Sequence, residues 1–295
     1  MLLTIFTPTY NRGNTLGRLY ENLKEQNFKN FEWLIIDDGS TDNTEEVVNS
    51  FLKENKITIK YIKQINKGKQ ACWNLAIDLA SGDLFCGVDS DDVLNGNILD
   101  IIIKKYLSTF LENPVLIGIR CNSINSKTLL NDGGKVVNIP KVLSYNDEIS
   151  KKKYIGERID IFKTKLLKDF KYPVDKDIKF IPELWFYIKV TKENYKFLYV
   201  PETLGFFFND VEINRLGKSS IKNNSVGHYI SRSCILKNTP IRVFLNNPKF
   251  YIYSLIRFIQ CANYSKISFK RRCADTNVFY TLLSYMLFFL MLGLK

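Results

Sequence analysis

The chain has 295 residues, 45% hydrophobic and 24% charged, an ordinary globular composition that allows one large core or two smaller ones. Six cysteines (Cys72, Cys86, Cys121, Cys234, Cys261 and Cys273) without a C-x-x-C pair, and a single histidine, His228, argue against a Cys/His zinc site and fit a reducing cytosol. The net charge of +12 is concentrated: between Ile213 and Ala274 there are twelve Lys or Arg and no Asp or Glu, and the remaining thirty basic residues balance thirty acidic ones.

The predicted elements alternate. Leu2–Phe6 reads as a buried strand broken at Thr7-Pro8-Thr9, an apolar start ended too early for a secretory segment. Leu16, Leu19, Tyr20 and Leu23 follow at helical spacing, and Phe31–Ile36 is a second strand stopped by Asp37-Asp38-Gly39-Ser40. Asp42 with Glu45 predicts a capping box for the helix carrying Val47, Val48, Phe51 and Leu52. Ile57–Ile65 is a third strand, Ala71–Leu79 a helix stopped by Ser81-Gly82, and Leu84–Val88 a fourth strand. This order predicts an α/β fold with a mainly parallel sheet flanked by helices and ligands at the carboxyl ends of its strands. Further on, Ile98–Phe110 is expected as helix, Val115–Arg120 as strand, and Asn131–Gly134 as a turn.

Asp89-Ser90-Asp91-Asp92 places three carboxylates in four residues at the end of the fourth strand. Crowded anions call for positive charge, and a hard divalent cation such as Mg²⁺ or Mn²⁺, completed by water and substrate phosphates, suits them. The bland reading is a solvated turn capping the next helix. Against it, Thr7–Arg12, Asp37–Ser40 and Asp89–Asp92 all follow strands and so converge on one sheet edge. Arg12 and Lys69 read either as solvated loop residues or as phosphate contacts.

Five ordered segments then carry a resemblance: Phe6-Thr7-Pro8-Thr9-Tyr10-Asn11-Arg12, Ile35–Asp42, Asn66-Lys67-Gly68-Lys69 with Asn74, Ala80-Ser81-Gly82-Asp83, and Val88–Asp92. Together they resemble the family 2 glycosyltransferases of GT-A fold, of the bacterial surface-polysaccharide type. The resemblance implies that Thr7, Pro8, Tyr10, Arg12, Asp38, Lys69, Asp89 and Asp92 bind a nucleotide-sugar. It also implies that Asp89 and Asp91 form a D-x-D element for a divalent metal, Mn²⁺ or Mg²⁺, and that Asp92 lies near the donor sugar. Glu183, in Pro182-Glu183-Leu184-Trp185, occupies the place of the general base, and Trp185 is expected to stack on an acceptor sugar. Leu216–Ser220 resembles a Gly-x-Ser element in which Lys218 approaches phosphate. Two departures are Trp73, where many relatives carry Arg, and Leu184, where many carry Asp.

Competing carboxylates for the base are Glu157, Asp175 and Asp177, whose Lys-rich surroundings read as a solvated face, and His228 is weighed as a further metal ligand. On this reading residues 1–225 form the GT-A domain, with 1–95 binding the nucleotide-sugar and 96–225 the acceptor. Residues 226–295 form a basic, aromatic, helical extension. Its aromatic content favours an anionic membrane over nucleic acid. The uncharged run Asn277–Leu294 is borderline for a membrane span, interfacial placement or a packed terminal helix being equal alternatives. The expected activity is metal-dependent, inverting transfer from a UDP-sugar to a saccharide or lipid-linked acceptor, on the cytoplasmic face of the membrane, with self-association left open. A catalytically silent GT-A-like subunit is the alternative, favoured by Trp73 and Leu184. A nucleotidyltransferase ranks last, since Thr7–Asn14 holds only Gly13 where that class opens with a glycine-rich loop.

Overall fold

The computed structural model describes residues 1–130, 137–150, 156–176, 178–208 and 221–287. The first half runs β1 (Leu3–Thr9), α1 (Gly13–Lys24), β2 (Phe31–Asp37), α2 (Thr44–Glu54), β3 (Ile59–Lys63), α3 (Lys69–Leu79), β4 (Leu84–Gly87) and β5 (Val93–Leu94). The middle runs α4 (Ile98–Glu112), β6 (Leu116–Asn125), β7 (Lys141–Leu143), α5 (Tyr145–Ser150), β8 (Arg158–Lys163), α6 (Thr164–Leu167), α7 (Leu184–Lys192) and β9 (Lys196–Phe207). Five helices follow: α8 (Ser225–Asn238), α9 (Ile241–Asn246), α10 (Pro248–Tyr264), α11 (Phe269–Asp275) and α12 (Val278–Met286). The Asn131–Gly134 turn, Asp177, and Leu216–Ser220 with Lys218 lie outside the described residues, as does the stretch 288–294 of the uncharged run.

One sheet has the strand order β3-β2-β1-β4-β8-β6-β9-β5, with β7 pairing β9. Its period-2 side-chain alternation builds two cores. Leu3, Ile5, Trp33 and Ile35 face α1, α2 and α4, meeting Leu16, Leu19 and Tyr20. Phe6, Leu34 and Ile36 face the other way, meeting Cys72, Ala76 and Ile77 of α3 and Phe186 of α7. Strands covered on both faces read as unbroken apolar runs, which is why β2 is buried at all seven positions.

Three expectations change. The sheet is parallel across β3-β2-β1-β4 and again between β6 and β9; β8 inserts antiparallel between β4 and β6, and β5 and β7 run antiparallel to β9, so the whole sheet is mixed. Strand β1 does not break at Thr7-Pro8-Thr9 but continues to pair Thr9 with Asp37. Pro8 is tolerated because even-numbered residues of β1 bond toward β4, whose pairing ends at Gly87, so its missing N–H leaves no gap in the ladder. The capping box also fails. Helix α2 begins at Thr44, Asp42 accepts from the Thr44 amide at 3.0 Å, and Glu45 instead pairs with Lys63 at 2.6 Å.

The C-terminal helices do not stand apart. Cys234 and Ile235 of α8 join the core that contains α3 and α7. Tyr229, Leu236, Phe258 and Ile259 make a third core among α8 and α10. Two of the counted cations are structural: Arg232 is 6% and Arg272 3% exposed, and Arg272 donates to the carbonyls of Ala262 and Ile267. Helix α12 buries Tyr280, Thr281 and Ser284. Among the described residues no helix is long and apolar enough to cross a membrane.

Candidate active site

Four chain segments meet at the carboxyl ends of β1, β2 and β4. The first is anchored by Asp37 and Asp38. Asp37 is wholly buried and accepts from the Ser40 amide at 2.7 Å and the Tyr61 hydroxyl at 2.6 Å. Asp38 accepts from the amides of Lys67 (2.8 Å) and Gly68 (2.7 Å) and from the Gln64 side chain (2.8 Å). Three donors on one carboxylate leave about one of its four lone-pair sites for a ligand. The same bonds fold the Asn66–Lys69 loop over the sheet edge, with Gly68 at φ +93°. A Cβ at Gly68 would stand 1.9 Å from the Lys179 carbonyl oxygen, so only glycine fits there.

That loop delivers Lys69, whose ammonium lies 2.9 Å from Asp89 and 3.5 Å from Glu183. Burial opposes its charge, but Asp89, Glu183 and Asp92 outweigh it and hold the lysine protonated above its ordinary range. Ligand oxygens of Asp89, Asp91 and Asp92 lie within 4.8 Å of one another. Burial first, then the charges of Asp89 and Asp91, push the Asp92 carboxyl up to about 8. An all-oxygen carboxylate set with unbalanced negative charge suits a hard divalent cation.

A cavity of about 1050 Å³ is lined by Pro8, Tyr10, Arg12, Asp38, Lys69 and Asp91, among others. A smaller one, of about 180 Å³, continues inward past Asp89 and Asp92. Glu183, at the N-terminal end of α7, borders both. Thus Pro8, Tyr10, Arg12, Asp38, Lys69, Asp89, Asp91, Asp92 and Glu183 come together. Thr7 does not join them: it is wholly buried, and its hydroxyl accepts from the Trp33 indole N–H at 2.9 Å. Trp185 points into the core against Tyr172, 5.3 Å between ring centroids, because its place in the first turn of α7 faces the sheet; stacking on an acceptor is not available to it. His228 lies against Phe180 on α8 and belongs to no acidic cluster among the described residues.

Other residues were not legible as site residues. Glu157, though exposed, borders both cavities, because β8 inserts beside β4. Arg18 of α1 donates to the Asp91 carbonyl and covers the Phe208 ring at 3.6 Å, while Asn22 holds both the N–H and C=O of Leu94 at 2.9 Å, so α1 fixes the acidic loop. Asn74 clamps α3 to the Tyr172 backbone with two 2.8 Å bonds. A buried ion group underlies the smaller cavity: Arg120 lies 3.1 Å from Asp160 and 3.3 Å from Glu148. The one available signal was charge at inward positions of otherwise apolar strands, Arg120 in β6 and Asp160 in β8.

Residues 4–111 match the family described as "Glycosyl transferase family 2". Glycosyltransferase GlyG of Streptococcus pneumoniae is 32% identical over 105 residues, 35% of each chain. The chain therefore spans about a third of the length of that relative in the matched region. An Escherichia coli protein, UDP-Glc:alpha-D-GlcNAc-diphosphoundecaprenol beta-1,3-glucosyltransferase WfgD, is 27% identical over 88% of this chain and 92% of its own. Among solved structures, S. aureus TarS in complex with UDP-GlcNAc shares the fold at a TM-score of 0.67 and 18% identity, over 96% of this chain and 88% of that one. Two further glycosyltransferases of this fold, at TM-scores of 0.56 and 0.62, were solved with Mn²⁺. The architecture is thus GT-A-like, a mixed sheet flanked by helices.

Proposed function

We propose that this chain is a metal-dependent, inverting glycosyltransferase that uses a UDP-sugar and builds a bacterial surface polysaccharide. One observation carries the reading: Lys69 ties Asp89 to Glu183, so the carboxylates suited to a metal-diphosphate and the candidate base share one centre. Tyr10, Arg12 and the remaining lone-pair site of Asp38 line the space for base and ribose. Asp89 and Asp91 would hold Mn²⁺ or Mg²⁺, which neutralises charge gathering on the departing diphosphate. Glu183 takes the proton of an acceptor hydroxyl; the new bond forms at the anomeric carbon while its bond to the diphosphate breaks, and UDP leaves with the electron pair. Lys69 is placed to move from the carboxylates to the phosphates. A saccharide or lipid-linked acceptor is supported by the near full-length likeness to a relative whose name carries a diphosphoundecaprenol acceptor. The basic, partly apolar surface of the C-terminal helices supports peripheral attachment to an anionic membrane at its cytoplasmic face.

The test is UDP release from a panel of UDP-sugars with Mn²⁺ or with EDTA. Release from one sugar, abolished by EDTA and by Asp91→Ala, is expected. Glu183→Gln should lower kcat by roughly 100-fold or more, the range for loss of a positioned base. Metal-independent release, or a Glu183→Gln variant of full activity, would sink the assignment. A silent subunit recruiting a partner enzyme is the second reading; sustained turnover by the purified chain excludes it.

A further inference from the structure

Building on the donor-transfer reading, we propose that the smaller cavity seats the transferred sugar, and that Asp160, with Gln70 and Trp73, determines which sugar is accepted. The cavity of about 180 Å³ opens directly behind Asp89 and Asp92 and shares Lys69 and Glu183 with the larger one. At roughly 30 Å³ per water it has room for about six waters' volume, a single monosaccharide rather than a chain. Its wall is aromatic, with Trp73, Phe162, Phe186 and Tyr187 offering rings to the apolar face of a pyranose.

The polar groups in that wall are incompletely used. Asp160 is 5% exposed; its Oδ2 accepts from the Tyr187 hydroxyl at 2.8 Å and from Arg120 at 3.1 Å, while its Oδ1 has no hydrogen-bond partner among the described residues. Gln70, 2% exposed, leaves its Oε1 equally unpartnered, and Trp73 leaves its indole N–H so. Buried polar atoms without partners are costly, and a ligand that supplies the partners is a physical reason to keep them. Sugar hydroxyls, which donate and accept, fit two acceptors and one donor. Arg120, fixed by Glu148 on its other side, holds Asp160 in one orientation. A carboxylate so held discriminates between hydroxyl configurations, because a misplaced hydroxyl leaves it unpaired. The departure at Trp73 acquires a role on this account: a neutral indole closes the cavity, packed edge-on against Phe85, Phe162 and Phe186.

Calorimetric titration with Mn²⁺ of UDP, UDP-glucose, UDP-galactose, UDP-N-acetylglucosamine and UDP-N-acetylgalactosamine tests this on the full chain, in wild type, Asp160→Asn and Trp73→Phe. One UDP-sugar should bind wild type more tightly than UDP. Each variant should lose that preference by roughly tenfold, as for one removed hydrogen bond, with UDP affinity unchanged. Because Asp160→Asn strips a charge from buried Arg120 and endangers folding, Trp73→Phe, which removes the indole N–H with part of the ring but keeps an aromatic side chain, carries the test independently. A preference that survives in the folded variants, or a wild type that binds no UDP-sugar better than UDP, overturns the inference while UDP binding still upholds the donor reading. Absence of UDP binding by wild type removes both.

Discussion

At Lys69 one ammonium balances two carboxylates delivered by distant parts of the chain, Asp89 after β4 and Glu183 at the start of α7. Such a lysine keeps the anions together until something more positive, or something more negative, enters. Asp38 works one step further back, spending three of its acceptor sites on holding the Lys69 loop. His228 illustrates a different residue-level effect. Burial, then Arg232 and Arg257, lower its pKa from 6.5 to about 4. The folded protein therefore binds fewer protons than the unfolded chain between those limits, so the stability this residue contributes is present above pH 6.5 and lost as pH falls toward 4. Thermal or urea unfolding followed from pH 7 to pH 4 should show that slope, and His228→Gln should flatten it. A slope unchanged in the variant would assign the acid sensitivity elsewhere.

The elements around the site are positioned by short, specific contacts. Helix α1 reaches the acidic loop through Arg18 and Asn22, α3 is clamped by Asn74, and the loop before α3 turns on Gly68. Gly68→Ala should be the most damaging single methyl in this region, since it meets both a positive φ and the Lys179 carbonyl. Strain of this kind costs roughly 1–3 kcal/mol. The loop is expected to shift rather than the fold to melt. UDP affinity should then fall at least tenfold while Tm drops only modestly, and wild-type affinity in Gly68→Ala would show that the loop geometry is dispensable.

Across the whole molecule, the excess charge gathers on helices that also expose apolar side chains. Arg242, Lys249, Lys270 and Arg271 are exposed beside Ile241 (67%), Leu245 (74%), Phe279 (63%) and Met286 (73%). Exposed apolar residues interspersed with cations suit the headgroup region of an anionic bilayer, where each cation contributes about 1 kcal/mol near the surface. Co-sedimentation with vesicles containing phosphatidylglycerol should exceed that with neutral vesicles and weaken with salt. Leu245→Asp combined with Phe279→Asp should abolish it. Equal sedimentation with neutral vesicles, or none with either, would remove the membrane from the proposal.

The fold and its site were unequally legible in the sequence. Strands β1 to β4 and the acidic loop after β4 were readable because a parallel α/β half keeps its code local: a short apolar run, polar residues at the strand end, then a helix of period 3.6. Composition alone located the charge asymmetry. What the sequence could not disclose depended on pairing between distant segments. The insertion of β8 between β4 and β6 brings Glu157, Asp160 and, through β6, Arg120 beneath the acidic loop, and no local pattern encodes which strands become neighbours. Thr7 and Trp185 looked like ligand contacts by position but turn inward, because side-chain direction follows from the register of β1 and the face of α7 packed on the sheet. Arg232 and Arg272 counted as surface charge until helix packing enclosed them. The chain by itself determined which chemistry was carried and where along its length; tertiary packing decided which of those groups share a cavity, since burial and long-range pairing are properties of the assembled sheet.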